Sequence, residues 1–161
     1  MAPHLNYQSM MVVDQMGPDE TIDMDASGQG IGAVNHISKE FFLLALPPPV
    51  NEMPIHCGEM AAVMLSVDVW SGQRANPLTP GIGKSVFSSK NVTLLSDNQA
   101  VIHAINSGRA TDDFLGKGMR FIHYQMALVD GHFSLRYINT KDNTWADGLS
   151  RRNQDTFQKL I

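Results

Sequence analysis

Asp23-Met-Asp-Ala-Ser-Gly-Gln-Gly-Ile-Gly-Ala-Val34 (DMDASGQGIGAV) is the stretch on which the fold turns. Gly28, Gly30 and Ala33 match the G-x-G-x-x-G/A spacing of a dinucleotide-binding loop. Such a loop needs a strand before the glycines and a helix after them, whose N-terminal dipole meets the pyrophosphate. Thr21 to Asp25 alternates apolar and polar residues and reads as a strand. Ile31-Gly-Ala-Val-Asn-His-Ile37, however, carries β-branched residues and another glycine, and reads as a second strand. Strand–turn–strand gives no cradle for a pyrophosphate. It leaves a hairpin turning at Ser27-Gly-Gln-Gly30, with Asp23 and Asp25 on one face of its first strand. The glycines then make the turn and keep space clear beside the aspartates.

Outward from the hairpin, Glu40 to Leu46 reads as a third strand after a turn at Ser38-Lys39, which makes an antiparallel meander. Pro47 to Pro49 breaks it. Glu59 to Trp70 predicts a helix with Met60, Val63, Met64 and Val67 on one face. Residues 71–90, rich in Gly, Pro and Ser, read as a long loop. Gly81-Ile-Gly-Lys-Ser85 resembles a phosphate-binding loop, but Leu78 stands where its first glycine belongs and no strand precedes it. Val92 to Leu95 is a short strand. Asp97 to Ser107 is a helix, with Asp97 or Asn98 as N-cap and Gly108 as its stop. Over residues 113–130, Leu115, Met119, Ile122, Met126 and Val129 recur at helical steps. Phe133 to Ile138 reads as a strand and Asn143 to Arg151 as a short final helix. The order β-β-β-α-β-α-α-β-α places the chain in the α/β class. Residues 20–152 form the domain, 1–19 a linker or extension, and 153–161 a tail.

With 161 residues, 43% hydrophobic and 17% charged, one domain with a substantial core is expected. The longest apolar run, Phe41 to Leu46, is far too short to span a membrane. The first twenty residues have neither a basic start nor an apolar run of leader length. A single cysteine, Cys57, excludes an internal disulfide and suits a reducing, intracellular setting. Net charge is −4, unevenly spread: −8 over residues 1–73 and +4 over residues 74–161. Such asymmetry permits a basic face for a polyanion on a mildly acidic protein.

Four acids stand at strand ends or in helices: Asp25, Glu59, Asp97 and Asp147. Brought above one sheet edge, they repel one another unless cations are present. Two Mg²⁺ ions, or Mn²⁺ in their place, would relieve the repulsion and activate water for phosphodiester attack. His56 and Cys57 beside Glu59 could suggest zinc ligands, but no partner pair follows in sequence, so Cys57 reads as a buried residue and His56 as an entry residue of the helix.

Asp25-Ala-Ser followed by Gly-x-Gly, Glu59-Met-Ala-Ala-Val63, Leu95-Ser-Asp-Asn98 and Asn143-Thr-Trp-Ala-Asp-Gly-Leu-Ser-Arg151 together resemble the ribonuclease H domain of retrotransposon reverse transcriptases. The closing N-x-x-A-D-x-L-S-R is the most specific part and is similar to gypsy-like and tyrosine-recombinase (DIRS-like) elements. The resemblance covers residues 20 to 152, weakly at 38–53 and 71–90. It implies a five-stranded mixed sheet, three antiparallel strands then two parallel, flanked by helices. It implies hydrolysis of the RNA strand of RNA–DNA hybrids, alongside an attached polymerase domain. Asp25 and Asp97 would flank both metals, Glu59 would hold one and orient the attacking water, and Asp147 would complete the other shell. A rival expectation is a catalytically silent scaffold of the same fold.

Asp23 competes with Asp25, but the resemblance places the ligand directly before Ala-Ser. The loop Asn139-Thr-Lys-Asp-Asn143 lacks the histidine of many cellular members, which leaves Lys141 or Asn143 for its role. Asn98 and Gln99 at a helix N-terminus, with Arg109, Lys141, Arg151 and Arg152, are the candidate contacts to nucleic-acid phosphates. Trp145 is expected to pack in the core rather than stack on substrate.

Overall fold

The computed structural model describes residues 17–45, 52–72, 85–110, 112–151 and 154–160. Outside these lie most of the expected linker, the proline run, the phosphate-loop-like glycines and Arg152. Five strands form one sheet: β1 (Gly17–Ala26), β2 (Gly30–Asn35), β3 (Phe41–Ala45), β4 (Lys90–Ser96) and β5 (Ser134–Tyr137). Their order is β3-β2-β1-β4-β5. β1, β2 and β3 are antiparallel neighbours, whereas β4 and β5 join β1 in parallel. This is the expected mixed sheet.

The helices are α1 (Ile55–Trp70), α2 (Val86–Ser89), α3 (Gln99–Ser107), α4 (Asp113–Val129), α5 (Thr144–Ser150) and α6 (Gln154–Leu160). α1 starts four residues earlier than its periodicity predicts. Pro54 sits at its N-cap with φ −53° and ψ 151°, where a missing N–H costs nothing. The Asn98 side chain accepts from the Val101 amide and caps α3, and Gly108 ends that helix at φ 72°. Asp112 caps α4 in the same way through the Leu115 amide. α4 stops one residue short of expectation because Asp130 already turns left-handed at φ 52°. α2 and α6 were not expected. The first is one turn inside a Gly-, Pro- and Ser-rich stretch, and the second lies within the expected tail.

The main core lies on one face of the sheet. Ile22, Met24 and Ala26 of β1 pack there with Met60, Val63 and Val67 of α1 and the predicted stripe of α4. All five stripe residues are buried, each burial contributing about 1.5–3 kcal/mol. Met64, expected on the buried face of α1, is only half-buried. α5 covers the other face, with Ala146 and Leu149 buried. Gly32 of β2 makes this possible: a Cβ there would fall 2.5 Å from Leu149 Cβ and 2.8 Å from the Ala146 carbonyl oxygen. Gly28, by contrast, faces open space. Packing therefore demands Gly32 to seat a helix, and Gly30 at the end of the turn, where a Cβ would fall 2.5 Å from the Leu44 carbonyl oxygen of β3. No helix among the described residues is long and apolar enough to cross a membrane.

Candidate active site

The turn after β1 closes with a Ser27 amide to Gly30 carbonyl bond of 2.9 Å, and the Gln29 amide donates to Ser27 Oγ. A strand follows, as the sequence requires, so the dinucleotide reading fails on structure too. The turn aims Asp25 at the C-terminal end of the parallel strands β1 and β4. Asp97 follows β4 directly, and Glu59 reaches the same point from α1. Ligand oxygens of Asp25, Glu59 and Asp97 all lie within 4.8 Å of one another. Asp25 and Glu59 are buried. Asp147 on α5 lines the same cleft, of about 300 Å³, together with Asn98 and Thr140.

Each acid is held by neighbours. Ser150 Oγ donates to Asp25 Oδ2 at 3.0 Å. The Ala26 amide donates to Glu59 Oε1 at 3.3 Å. Thr140 Oγ1 donates to Asp97 Oδ2 at 3.1 Å, and Arg151 Nε to Asp147 Oδ1 at 3.0 Å. Burial and then the Asp97 charge push the Asp25 carboxyl up to about 7. Burial, then Asp25 and Asp97, push Glu59 up to about 9. Glu59 Oε2 is buried with no hydrogen-bond partner. A clustered set of hard oxygen donors with an orphaned buried carboxylate oxygen fits a hard divalent cation such as Mg²⁺.

This arrangement predicts an unusual pH dependence. Unfolded, both carboxyls titrate near 3.9–4.3. Folded and metal-free, they keep their protons to higher pH, so the folded state binds more protons across the interval. Their stabilising contribution is complete below about pH 4 and is lost as pH rises through about 7 for Asp25 and about 9 for Glu59. With chelator, the melting temperature is expected to fall between pH 5 and 9, less steeply in Glu59→Gln, and Mg²⁺ should restore it most at the alkaline end. Parallel melting profiles for the two proteins would contradict this.

The other expected residues distribute unevenly. Asp23 lies on the Asp25 face but is turned to His36, Nε2 to Oδ2 at 2.7 Å, outside the acid group. Asn98 is at the cleft with its side-chain oxygen committed to the cap, and Gln99 beside it is exposed. Lys141 is exposed in the loop next to Thr140, and Arg151 lines the cleft. Arg109 follows α3 at the end remote from the acids, about 13 Å away for nine residues. Asn143 is fully buried and donates to the Met24 carbonyl at 2.8 Å, so it anchors the loop and is not free to assist turnover. His132, the last histidine in the sequence before that loop, precedes β5 at the sheet end opposite the acids. Trp145 is half-buried and lines a different cavity, with Val34, His36 and Lys159.

No family model matches the sequence, and neither does any curated protein. Solved structures do match. RNase H1 from the halophilic archaeon Halobacterium salinarum aligns with TM-score 0.59 at 14% identity, over 86% of this chain and 98% of that one. LC11-RNase H1, in complex with an RNA/DNA hybrid, aligns with TM-score 0.62 at 13% identity, over 87% and 98%. The chain has the ribonuclease H fold. A foamy viral protease-reverse transcriptase, also in complex with RNA/DNA hybrid, aligns with TM-score 0.54 at 11% identity. It covers 91% of this chain, which spans only 21% of that longer one.

Within this ribonuclease H fold, Ser150 and Thr140 hydrogen-bond to acids of the cleft, contacts the sequence did not reveal. Their contacts to Asp25 and Asp97 join positions 125 and 43 residues apart. The one local signal is Ser150 lying three residues after Asp147, one helical turn on. Ser150→Ala is expected to weaken divalent-cation affinity about 10–100-fold, as loss of a ligand-orienting hydrogen bond does. Calorimetric titration with Mn²⁺ checks this; unchanged affinity would remove Ser150 from the site.

Proposed function

We propose that the chain is a metal-dependent ribonuclease H, hydrolysing the RNA strand of RNA–DNA hybrids. The observation that carries it is the convergence of Asp25, Glu59 and Asp97, with Asp147 on the cleft wall, at the strand ends of this fold. Asp25, Glu59, Asp97 and Asp147 would hold two Mg²⁺ ions, with Mn²⁺ as substitute. When bound, these supply charge neutralisation at the scissile phosphate and an acidified water. Glu59, anchored by the Ala26 amide, accepts from and orients the attacking water through its second oxygen. Ser150 and Thr140 fix the rotamers of Asp25 and Asp97. Arg151 keeps Asp147 turned into the cleft.

Gln99, Lys141 and Arg151 border or approach the cleft and would meet substrate phosphates. Arg109, at the far end of α3, would meet the duplex further along. Phosphate contacts of this kind position a duplex without reading sequence. With few cations near the cleft among the described residues, hybrid affinity is expected to be weak and steeply salt-dependent. An attached polymerase domain would supply the rest, as in a gypsy-like or DIRS-like reverse transcriptase acting inside the cell. Residues 20–152 would be the catalytic domain of that longer protein. The test incubates the protein with hybrid, duplex DNA and duplex RNA, each with Mg²⁺, Mn²⁺ or chelator, beside Asp97→Asn. Metal-dependent cleavage of hybrid alone, lost in Asp97→Asn, supports the proposal. No cleavage and no metal-induced rise in melting temperature would favour a silent scaffold.

A further inference from the structure

Another group of metal-ligating side chains lies outside the acid cleft. His56 and Cys57 in the first turn of α1 and Asp112 at the N-cap of α4 each offer a ligand atom, all within 4.8 Å of one another. We propose that His56, Cys57 and Asp112 form a binding site for a borderline-soft divalent cation of the zinc class, clipping α1 to α4. It stands independently of the hydrolytic reading.

The donor set selects the metal. One nitrogen, one sulfur and one carboxylate oxygen suit zinc or cobalt, whereas Mg²⁺ prefers the all-oxygen group at Asp25, Glu59 and Asp97. The spacing agrees. His56 Nε2 and Asp112 Oδ2 stand 3.2 Å apart. Two ligands on a tetrahedral zinc, each bonded at about 2.0–2.1 Å, are separated by about 3.3 Å. A cation can therefore replace the proton that this pair shares, with little movement of either side chain. Asp112 is also held in place from behind: its Oδ1 accepts the Leu115 amide at 3.0 Å, which leaves Oδ2 aimed at His56.

Cys57 is fully buried and supplies the inner ligand. The His56 and Asp112 side chains are 26% and 35% exposed, so a cation enters from their side and a water completes its shell there. On binding, Cys57 gives its thiol proton to solvent and ligates as thiolate. α1 has no side-chain N-cap of its own, and Glu59 lies two residues beyond Cys57. A bound cation would thus brace the helix turn that carries a site carboxylate.

The test is a Co²⁺ titration of the metal-stripped full chain in buffer containing excess Mg²⁺. A thiolate-to-cobalt charge-transfer band in the near ultraviolet is expected, saturating at one ion per chain and abolished by equimolar Zn²⁺. The all-oxygen cluster cannot produce that band, and Cys57 is the only thiol. Asp112→Asn keeps an oxygen to cap α4 and should weaken Co²⁺ binding at least about tenfold, as lost ligand support does, with an unchanged far-ultraviolet spectrum. Cys57→Ser should lose the band entirely. No band in the unaltered chain at millimolar Co²⁺, or unchanged affinity in a folded Asp112→Asn, would overturn the proposal.

Discussion

Asp25→Asn is expected to abolish hybrid cleavage while making the metal-free protein more stable. Asp25 is buried against Asp97 and Glu59, and burial with the Asp97 charge already drives its carboxyl up to about 7. Asparagine keeps the shape and still accepts the Ser150 hydroxyl, but removes the charge. Removing that charge relieves the burial and the repulsion from Asp97, so at pH 8 the metal-free melting temperature is expected to rise by several degrees. Activity moves the opposite way. Loss of a ligand carboxylate forfeits several kcal/mol of charge stabilisation in the transition state, or about 10³-fold in rate. The pair of measurements, melting with chelator and single-turnover cleavage with Mg²⁺, separates a working acid from a structural one. A structural acid would lower both.

Gly32→Ala should be strongly destabilising, because its added Cβ collides with the helix docked on the sheet. Its Cβ would meet Leu149 Cβ at 2.5 Å, the Ala146 carbonyl oxygen at 2.8 Å and the Ser150 amide nitrogen at 2.8 Å. Two of these are backbone atoms and cannot rotate away. Overpacking of this kind costs about 1–3 kcal/mol, occasionally more, and lifts α5 from the sheet. α5 carries Asp147 and ends in Ser150, so cleavage should fall further than stability alone explains. Gly28→Ala is the control for stability: nothing lies within 4 Å of its added Cβ, and a change within about 0.5 kcal/mol is expected. Urea unfolding of the two variants checks the contrast, and equal midpoints would contradict the docking account.

The hairpin shows what can be read in advance. β-branched residues after the glycines distinguish a strand from a helix without any structure, and that decision alone removes the cofactor reading. The stripe of α4 and the caps at Asn98 and Gly108 were legible for the same reason: each depends on residues within one or two turns. The grouping of Asp25, Glu59 and Asp97 was legible through the motifs that carry the resemblance, although Glu59 lies in the second turn of α1 and not at its start. What escaped reading depends on distant partners. Asn143 looks like a loop polar residue until its bond to the Met24 carbonyl, across 119 positions, shows it to be an anchor. Gly32 looks like a hairpin glycine until α5 is seen against it. The group of His56, Cys57 and Asp112 was likewise hidden in sequence, because Asp112 joins it from the start of another helix, 56 positions on from His56.

The most direct measurement follows both strands of an RNA–DNA hybrid at once, each carrying its own label, during incubation with the protein and Mg²⁺. RNA fragments should accumulate while the DNA strand stays whole, with no fragments under chelator or with Asp97→Asn. Cleavage of both strands, or RNA cleavage that survives Asp97→Asn, would contradict a carboxylate-held metal centre specific for hybrid RNA.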